Sequence, residues 1–325
     1  LGKRMNSSLP KVLHSLAGKS LLSHVLDTAN SLLPQRICVV YGHGNDAVRD
    51  AIGNDDLMWV KQESQLGTGH ALMQALPHLD KKGLTLVLYG DVPLISSETL
   101  QKLISASLKE NLALLTMSLD EPAGYGRIVR DAESNNIVAI VEDKDTNKDQ
   151  KKIKEINTGI MLIPNANLHE WLPKLQNKNS QKEYYLTDIV AIAAKAGEKI
   201  EAAHPSNNWE VLGVNSKIQL AALERTYQRN YAEKLLEQGV TLTDPSRIDI
   251  RGELNCGKEV EVDINCIFEG EVILADGVKI GAHCILKNVE IGAGTTILPF
   301  SLIEDAGIGK NCRVGPFSRI RPGTN

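Results

Sequence analysis

Asp91 stands where a sequence can do chemistry. It closes the stretch from Leu84 to Leu94, Leu-Thr-Leu-Val-Leu-Tyr-Gly-Asp-Val-Pro-Leu. Leu84 to Leu88 are apolar or β-branched and carry no charge, the pattern of a strand buried on both faces of a parallel sheet. Pro93 stops that strand. One carboxylate is thereby delivered to the carboxyl end of a buried strand, the edge at which open α/β sheets bind ligands. With Gly90 beside it to admit a close approach, Asp91 suits a Mg²⁺ ion carrying nucleotide phosphates. The competing reading makes Asp91 the cap of a helix over 96–109.

Other residues with a chemical pattern lie in turns. Near the start, Gly2, Lys3 and Arg4, followed by Lys11 after Pro10, can cradle an anion through backbone N–H groups and charge. Gly67-Thr68-Gly69, at a helix start, can set backbone amides against a base or phosphate. Gly124-Tyr125-Gly126-Arg127 is a second Gly-rich turn, Glu142 follows the strand Ile137–Val141, and Asn157-Thr158-Gly159 leads into the strand Ile160–Ile163. Glu183-Tyr184-Tyr185 precedes a helix running to about Ala196. The eight histidines show no metal-ligand spacing.

The elements that must position these turns alternate. Helices are predicted over Leu21–Leu32, Asp46–Ile52 and His70–Leu79, and strands over Arg36–Tyr41, Leu57–Val60 and Leu112–Met117. Such βα alternation predicts a parallel sheet with helices on both faces. Residues 143–154 are a charged, loop-like insertion. An amphipathic run from Ile218 to Leu236 predicts a connecting helix ended by Gly239, with Asn215 as a possible N-cap.

After about residue 250 the pattern changes. Val262, Phe268, Leu274, Ile280 and Leu286 recur every six residues. Five-residue steps then lead to Ile291, Ile297 and Ile303, and to Ile308, Val314 and Ile320. A six-residue period with an inward aliphatic is the hexapeptide repeat of a parallel β-helix. Solenoids of this kind need capping or association.

Bulk composition narrows the class. The 325 residues are a prior for two domains, and 42% hydrophobic with 23% charged residues is ordinary for a globular chain. A net charge of −4 with scattered cations, and 4% aromatics, argue against nucleic-acid binding. No apolar run approaches the ~20 residues of a membrane span. The five cysteines, odd in number and without CxxC spacing, read as small apolar residues of a reducing cytoplasm.

Taken together, the chain resembles the bacterial bifunctional N-acetylglucosamine-1-phosphate uridylyltransferase / glucosamine-1-phosphate acetyltransferases over residues 1–323. The motifs that carry the resemblance are Leu9-Pro10-Lys11-Val12-Leu13-His14, Gln65-Leu66-Gly67-Thr68-Gly69-His70-Ala71, Leu88-Tyr89-Gly90-Asp91-Val92-Pro93-Leu94, Gly124-Tyr125-Gly126-Arg127-Ile128, Glu155-Ile156-Asn157-Thr158-Gly159-Ile160, Glu183-Tyr184-Tyr185 and Gly213-Val214-Asn215. The fold implied is α/β: a Rossmann-like uridylyltransferase domain over 1–215, a linker helix over 216–239, and a short left-handed parallel β-helix over 240–325 that starts the acetyltransferase domain.

Residue roles are implied by the same resemblance. Leu1 and Gly2 belong to the nucleotide loop, and Arg4 and Lys11 act on the phosphates. Gln62, Gly67 and Thr68 hold the uracil, and Tyr89-Gly90 line the site. Asp91 and Asn215 bind Mg²⁺, with two ions possible. Gly126, Glu142 and Asn157 hold the N-acetylglucosamine and the ribose, with Glu183 and Tyr185 on the sugar side. The implied reaction turns UTP and N-acetylglucosamine 1-phosphate into UDP-N-acetylglucosamine and pyrophosphate, for cell-wall and lipopolysaccharide precursors, in a cytoplasmic homotrimer.

Two departures qualify it. The family's Leu-x-Ala-Gly-x-Gly-Thr-Arg-Met signature is four residues short here, so loop residues are expected to be missing. Of the second site, which uses acetyl-CoA, only Arg321 is matched, and that activity is expected to be lost by truncation. The alternatives are another hexose-1-phosphate nucleotidyltransferase, an acyltransferase, and a non-catalytic trimeric β-helix scaffold.

Overall fold

The structure, a computed structural model, describes residues 5–42, 46–54, 56–107 and 111–324. The chain divides into two compact units, residues 1–13 with 21–214, and residues 14–20 with 215–325. A short hairpin of β1 (Ser15–Leu16) and β2 (Lys19–Ser20) belongs to the second unit.

The first unit runs α1 (Leu21–Ser31), β3 (Cys38–Gly42), α2 (Asp46–Ile52), β4 (Met58–Gln62), α3 (Thr68–Ala75), β5 (Leu84–Val87), α4 (Ser97–Ala106), β6 (Leu112–Ser118), β7 (Arg127–Arg130), β8 (Ile137–Val141), β9 (Glu155–Pro164), α5 (Asn165–Trp171), α6 (Asp188–Lys195) and β10 (Ile200–Ala203). Ser96, not Asp91, caps α4: its Oγ accepts the Thr99 N–H at 3.2 Å. That leaves the Asp91 side chain for other work.

The sheet is mixed where an all-parallel one was expected. β3 pairs with β4, and β6 with β10, in parallel, whereas β9 runs antiparallel to β5, β6 and β7. The reason lies in the connection. β9 follows the β7–β8 hairpin and the polar turns of residues 143–152, with no crossover helix to return the chain in the parallel sense.

The expected double burial of Leu84–Leu88 also fails. β5 has one strand neighbour among the described residues, β9, and Leu84 is 38% exposed. The doubly buried strand is β6, which lies between β9 and β10; Leu112 to Met117 are each at most 2% exposed. Alternate β6 residues serve two cores. Leu112 and Leu114 pack with Leu168 and Trp171 of α5 and with Ile189 and Val190 of α6. Ala113 and Leu115 pack with Leu100 and Leu103 of α4. The result is a helix–sheet–helix sandwich whose strand ends and turns are free to carry a site.

The second unit opens with α7 (Lys217–Glu237), capped by Ser216 Oγ, which accepts the Gln219 N–H at 3.2 Å. Gly239, at φ +92, ends the helix with its N–H on the Leu236 carbonyl. Ten strands follow: β11 (Thr241–Leu242), β12 (Ile248–Cys256), β13 (Glu261–Val262), β14 (Cys266–Leu274), β15 (Lys279–Ile280), β16 (Ile285–Ile291), β17 (Thr296–Ile297), β18 (Leu302–Ile308), β19 (Arg313–Val314) and β20 (Arg319–Ile320). Odd-numbered strands form one parallel sheet and even-numbered strands another.

Residues in register lie 18 apart at first, as Ile248 with Cys266, and 17 apart later, as Ile285 with Leu302. The change falls at an irregularity between Glu269 and Val272, where Glu269 faces Lys287 but Val272 faces Val289. This is the physical source of the five-residue steps in the repeat. A second inward position lies two residues before each repeat residue from Val262 to Ile303. It is filled by smaller side chains, Val260, Cys266, Val272, Val278, Cys284, Val289, Thr295 and Ser301, all buried. Three files of positive-φ residues recur at the same spacing: Glu259, Gly277, Gly294 and Asn311; Asn265, His283, Phe300 and Phe317; and Gly252, Gly270, Asn288 and Asp305. They mark three corners per circuit.

The connecting helix is also a cap. Gln228 of α7 is buried, and its amide pairs twice with the edge of β12: Nε2 donates to the Ile250 carbonyl and Oε1 accepts the Ile250 N–H, both at 2.7 Å. The Tyr231 hydroxyl accepts the Leu254 N–H at 3.0 Å. Side chains thus satisfy backbone groups that an open edge would leave bare.

Candidate active site

The first unit gathers most of the expected residues around one ring of contacts. Asp91 lies in the turn after β5. Its carbonyl accepts the Val214 N–H at 2.8 Å, and its Oδ2 forms an ion pair with Lys11 Nζ. Both side chains keep about a fifth to a quarter of their surface exposed, 20% for Asp91 and 25% for Lys11. Gly90 has a reason other than a ligand. A Cβ there would meet Leu22 at 3.2 Å and Val12 at 3.4 Å, so the glycine admits two packed side chains.

Tyr89 is the hub. Its phenol is pushed up to about 12, first by burial and then by the charges of Glu142 and Asp91, against a hydrogen bond with Thr68. Its ring lies over Gly159, where a Cβ would come within 2.6 Å of a ring carbon at a φ of +91. Gly159 N–H donates to Asn157 Oδ1 at 3.1 Å, and Asn157 N–H donates to the Gly126 carbonyl at 2.8 Å. A Cβ on Gly126 would stand 3.5 Å from both Glu142 carboxylate oxygens. The ring of contacts therefore runs from Tyr89 through Gly159, Asn157 and Gly126 to Glu142.

Glu142 accepts the Thr187 hydroxyl at 3.0 Å. Burial raises its carboxyl above the usual range. The Thr187 bond opposes this, while Asp188, Asp145 and Asp143 add to it. Tyr125 is raised by burial and then by the Asp91 charge.

The Gln62–Gly67–Thr68 side of the site is built from α3 and the segment before α6. Tyr184 N–H donates to the Leu66 carbonyl at 2.7 Å, and its carbonyl accepts Gly69 N–H at 2.8 Å. Leu186 N–H donates to Thr68 Oγ1 at 3.1 Å. The glycines of the Gly67-Thr68-Gly69 turn are required by that close packing: a Cβ on Gly67 would stand 2.6 Å from the Tyr184 carbonyl oxygen. Gly69 N–H is thus engaged within the protein, where the sequence suggested a ligand. Gln62, at the end of β4, is buried, and its Nε2 donates to the Gly67 carbonyl at 3.1 Å.

Leu1, Gly2 and Arg4 fall outside the described residues. Asn215 belongs to the second unit, where its N–H donates to Gln219 Oε1 at 2.8 Å. Arg321 is exposed in the second unit and lends its carbonyl to the Thr324 hydroxyl at 2.9 Å. Glu183 packs its Cβ near Gly67, and the Tyr185 hydroxyl accepts from Gln181 at 2.9 Å.

Four contributions were not read from the sequence: Tyr125, Thr187, the Tyr184 backbone, and Arg127. The Arg127 guanidinium is buried, donates to Asp143 at 2.9 Å and to the Tyr125 carbonyl, and its Nε has no partner among the described residues. Tyr125, Arg127 and Tyr184 lie inside motifs the sequence nominated without a role of their own, and Thr187 lies two residues past Tyr185, which is the signal available.

Comparison with known proteins places this arrangement. Residues 1–240 match the family model of the MobA-like NTP transferase domain. The Bifunctional protein GlmU of Nitrosospira multiformis is 63% identical over 324 residues, covering 100% of this chain and 70% of that protein. Its counterpart in Nitrosomonas europaea is 61% identical over 325 residues, covering 100% and 71%. The chain belongs to the GlmU family. It is a nucleotidyltransferase of the UDP-N-acetylglucosamine diphosphorylase class, as its motifs suggested. The chain spans about 70% of the length of these relatives. Among solved structures, an apo UDP-glucose pyrophosphorylase superposes with a TM-score of 0.59 at 15% identity, over 71% of this chain and 95% of that one. The same enzyme class complexed with UDP-glucose gives 0.59 and 15% over 70% and 95%. These share the fold.

Proposed function

We propose that the chain transfers the uridylyl group of UTP to N-acetylglucosamine 1-phosphate. A phosphate oxygen of the sugar phosphate attacks the α-phosphorus of UTP, the α–β phosphoanhydride bond breaks, and pyrophosphate leaves with the bond electrons. The nucleophile is already an anion, so no protein nucleophile is needed; catalysis is positioning and charge stabilisation. The observation that carries this reading is the contact ring joining Gln62, Gly67 and Thr68 through Tyr89 to Gly159, Asn157, Gly126 and Glu142, beside the Lys11–Asp91 pair.

In this reading the base lies against Gln62, Gly67 and Thr68. Glu142 and Asn157 accept from and donate to sugar hydroxyls and amide, held by Thr187 and Gly126. Lys11 neutralises charge that develops on the departing pyrophosphate, with Arg4 beside it by resemblance.

Asp91 fits Mg²⁺. It is a hard oxygen donor, partly exposed, and relieved of capping by Ser96. No cluster of three or more metal-ligating side chains exists among the described residues. None is needed, since Mg²⁺ takes one or two carboxylates and completes its shell with phosphates and water. When bound, the ion would supply charge neutralisation on the phosphates. Asn215 is added to this set by resemblance alone.

In the second unit, the two parallel sheets and three corner files support a left-handed parallel β-helix, and flat sheet faces of that form support a homotrimer. Sedimentation tests the trimer. Arg321 is the one residue tied by resemblance to acetyl transfer from acetyl-CoA, and that activity is not proposed.

Pyrophosphate release tests the main proposal. It should require UTP, N-acetylglucosamine 1-phosphate and Mg²⁺ together. Equal release with other hexose 1-phosphates would reassign the sugar, and none at all would leave the scaffold reading.

A further inference from the structure

Gly126 is buried, and its N–H has no acceptor among the described residues. Buried backbone donors are nearly always paired, so one left open beside a site is a place for a ligand oxygen. What aims this donor is the next residue. The Arg127 guanidinium, 3% exposed, donates through Nη1 to the Tyr125 carbonyl and through Nη2 to Asp143 Oδ1 at 2.9 Å. These roles cannot be exchanged: a guanidinium only donates, and a carbonyl or carboxylate oxygen only accepts. The Tyr125–Gly126 peptide is trans, so its C=O and N–H point to opposite sides. A carbonyl turned to the buried Arg127 therefore turns the Gly126 N–H away from it. On the other side of Gly126, its own carbonyl is held by the Asn157 N–H at 2.8 Å. Glu142 is a near neighbour, since a Cβ on Gly126 would stand 3.5 Å from both of its carboxylate oxygens. Asp143 follows Glu142 directly, so one guanidinium ties the residue before Gly126 to the residue after Glu142.

We propose that Arg127 is a positioning residue for the acceptor sugar. By pinning the Tyr125 carbonyl it presents the Gly126 N–H to an oxygen of N-acetylglucosamine 1-phosphate, and through Asp143 it fixes the distance from that donor to Glu142. The proposal rests on the reading of Gly126 and Glu142 as the sugar side of the site. A sugar oxygen accepts from Gly126 while a sugar hydroxyl donates to Glu142, so the pair reads an acceptor and a donor on one molecule. Lys11, Gln62, Gly67 and Thr68, which hold UTP in the same reading, lie outside this tie. Without the guanidinium, the Tyr125–Gly126 peptide is free to turn over, and its carbonyl then faces the sugar oxygen lone pair to lone pair. A ligand group left unpaired in this way binds poorly.

The test is the KM for each substrate, measured with the other at saturation. KM does not depend on the fraction of protein that is folded. Arg127→Lys keeps the charge but cannot serve both partners; the KM for N-acetylglucosamine 1-phosphate should rise roughly 10-fold or more, and that for UTP should stay within about twofold. Asp143→Ala frees one end of the tie and should raise the sugar phosphate KM by about 3- to 10-fold. Asp143→Asn, whose Oδ1 still accepts from Nη2, should restore most of it. If Arg127→Lys does not fold, the two Asp143 variants carry the test. Equal rises for both substrates would make Arg127 a structural residue only and overturn the proposal. So would an unchanged sugar phosphate KM in the Arg127 and Asp143 variants when Glu142→Gln has raised it, which would leave the sugar side as read. A Glu142→Gln enzyme with the wild-type sugar phosphate KM would overturn the sugar-side reading, and this proposal with it.

Discussion

The carboxylate of Asp91 and the ammonium of Lys11 are in direct ion-pair contact, 80 positions apart in the chain. The residue that suits a phosphate-bound cation is thus held by a cation of the protein. Substrate and metal would exchange partners: Mg²⁺ to the carboxylate, Lys11 to a phosphate. Asp91→Asn keeps the shape and loses the charge. The expected outcome is a fall in pyrophosphate release of ~10²–10³-fold, by analogy with loss of a preorganised charge contact, with unchanged circular dichroism. Full turnover at saturating Mg²⁺ would refute the assignment.

Gly159 cannot carry a side chain in the present packing. Its φ is +91, and a Cβ would press on the Tyr89 ring. Gly159→Ala is expected to cost about 1–3 kcal/mol of stability through strain and displaced packing. Because Tyr89 links Thr68 to the Glu142 side, turnover should fall even where the variant is fully folded. Urea unfolding together with kinetics measures both, and an Ala variant with wild-type stability would contradict the contact.

Glu142 sets a pH dependence with a definite sign. Burial, and then repulsion from Asp188, Asp145 and Asp143, raise its folded value, and burial raises Asp188 as well. From about pH 4 upward these two carboxyls therefore hold more protons in the folded chain than in the unfolded one. Stability from these groups falls as pH rises through that window and is regained on acidification. Glu142→Gln should flatten the slope and gain on wild type at neutral pH, while weakening the sugar phosphate's binding. Urea midpoints compared at pH 4.5 and 7 should differ less in the variant (both values approximate bounds of the window); an identical difference in both proteins would count against the burial argument.

Gln228 closes the open edge of the second unit. Replacing it with Leu preserves bulk and strands the Ile250 N–H and carbonyl inside. A loss of about 1–3 kcal/mol for each unpaired group is expected, read as a lower unfolding midpoint. A midpoint matching wild type would mean that water or a neighbouring side chain takes over both bonds.

Local pattern carried much of this protein. The six-residue recurrence from Val262 to Ile320 forces every sixth side chain inward, since a strand–turn unit of that length repeats its orientation. Its five-residue steps correspond to the register change between Glu269 and Val272. The termini of α7 followed from Gly239 and the polar residues before Lys217, with the cap moved to Ser216. Motif spelling also brought Gln62, Thr68, Tyr89, Asp91, Gly126, Glu142 and Asn157 into view, because turns that hold ligands at strand ends are short and stereotyped.

What the tertiary structure decided are matters of pairing between distant segments. An apolar run such as Leu84–Leu88 looks the same whether one strand or two flank it, so only assembly showed that β6, and not β5, is the doubly buried strand. Direction of pairing depends on the connection, which made the sheet mixed. The hairpin of residues 14–20 joins the second unit through contacts such as Ala17 N–H on Glu224, at 2.8 Å, which no local signal announces. The same holds for the site. Residue type nominated Glu142 and Gln62, but burial raises the Glu142 carboxyl against the Thr187 hydrogen bond, and the Gly67 carbonyl sets the Gln62 amide; those surroundings are brought together by folding.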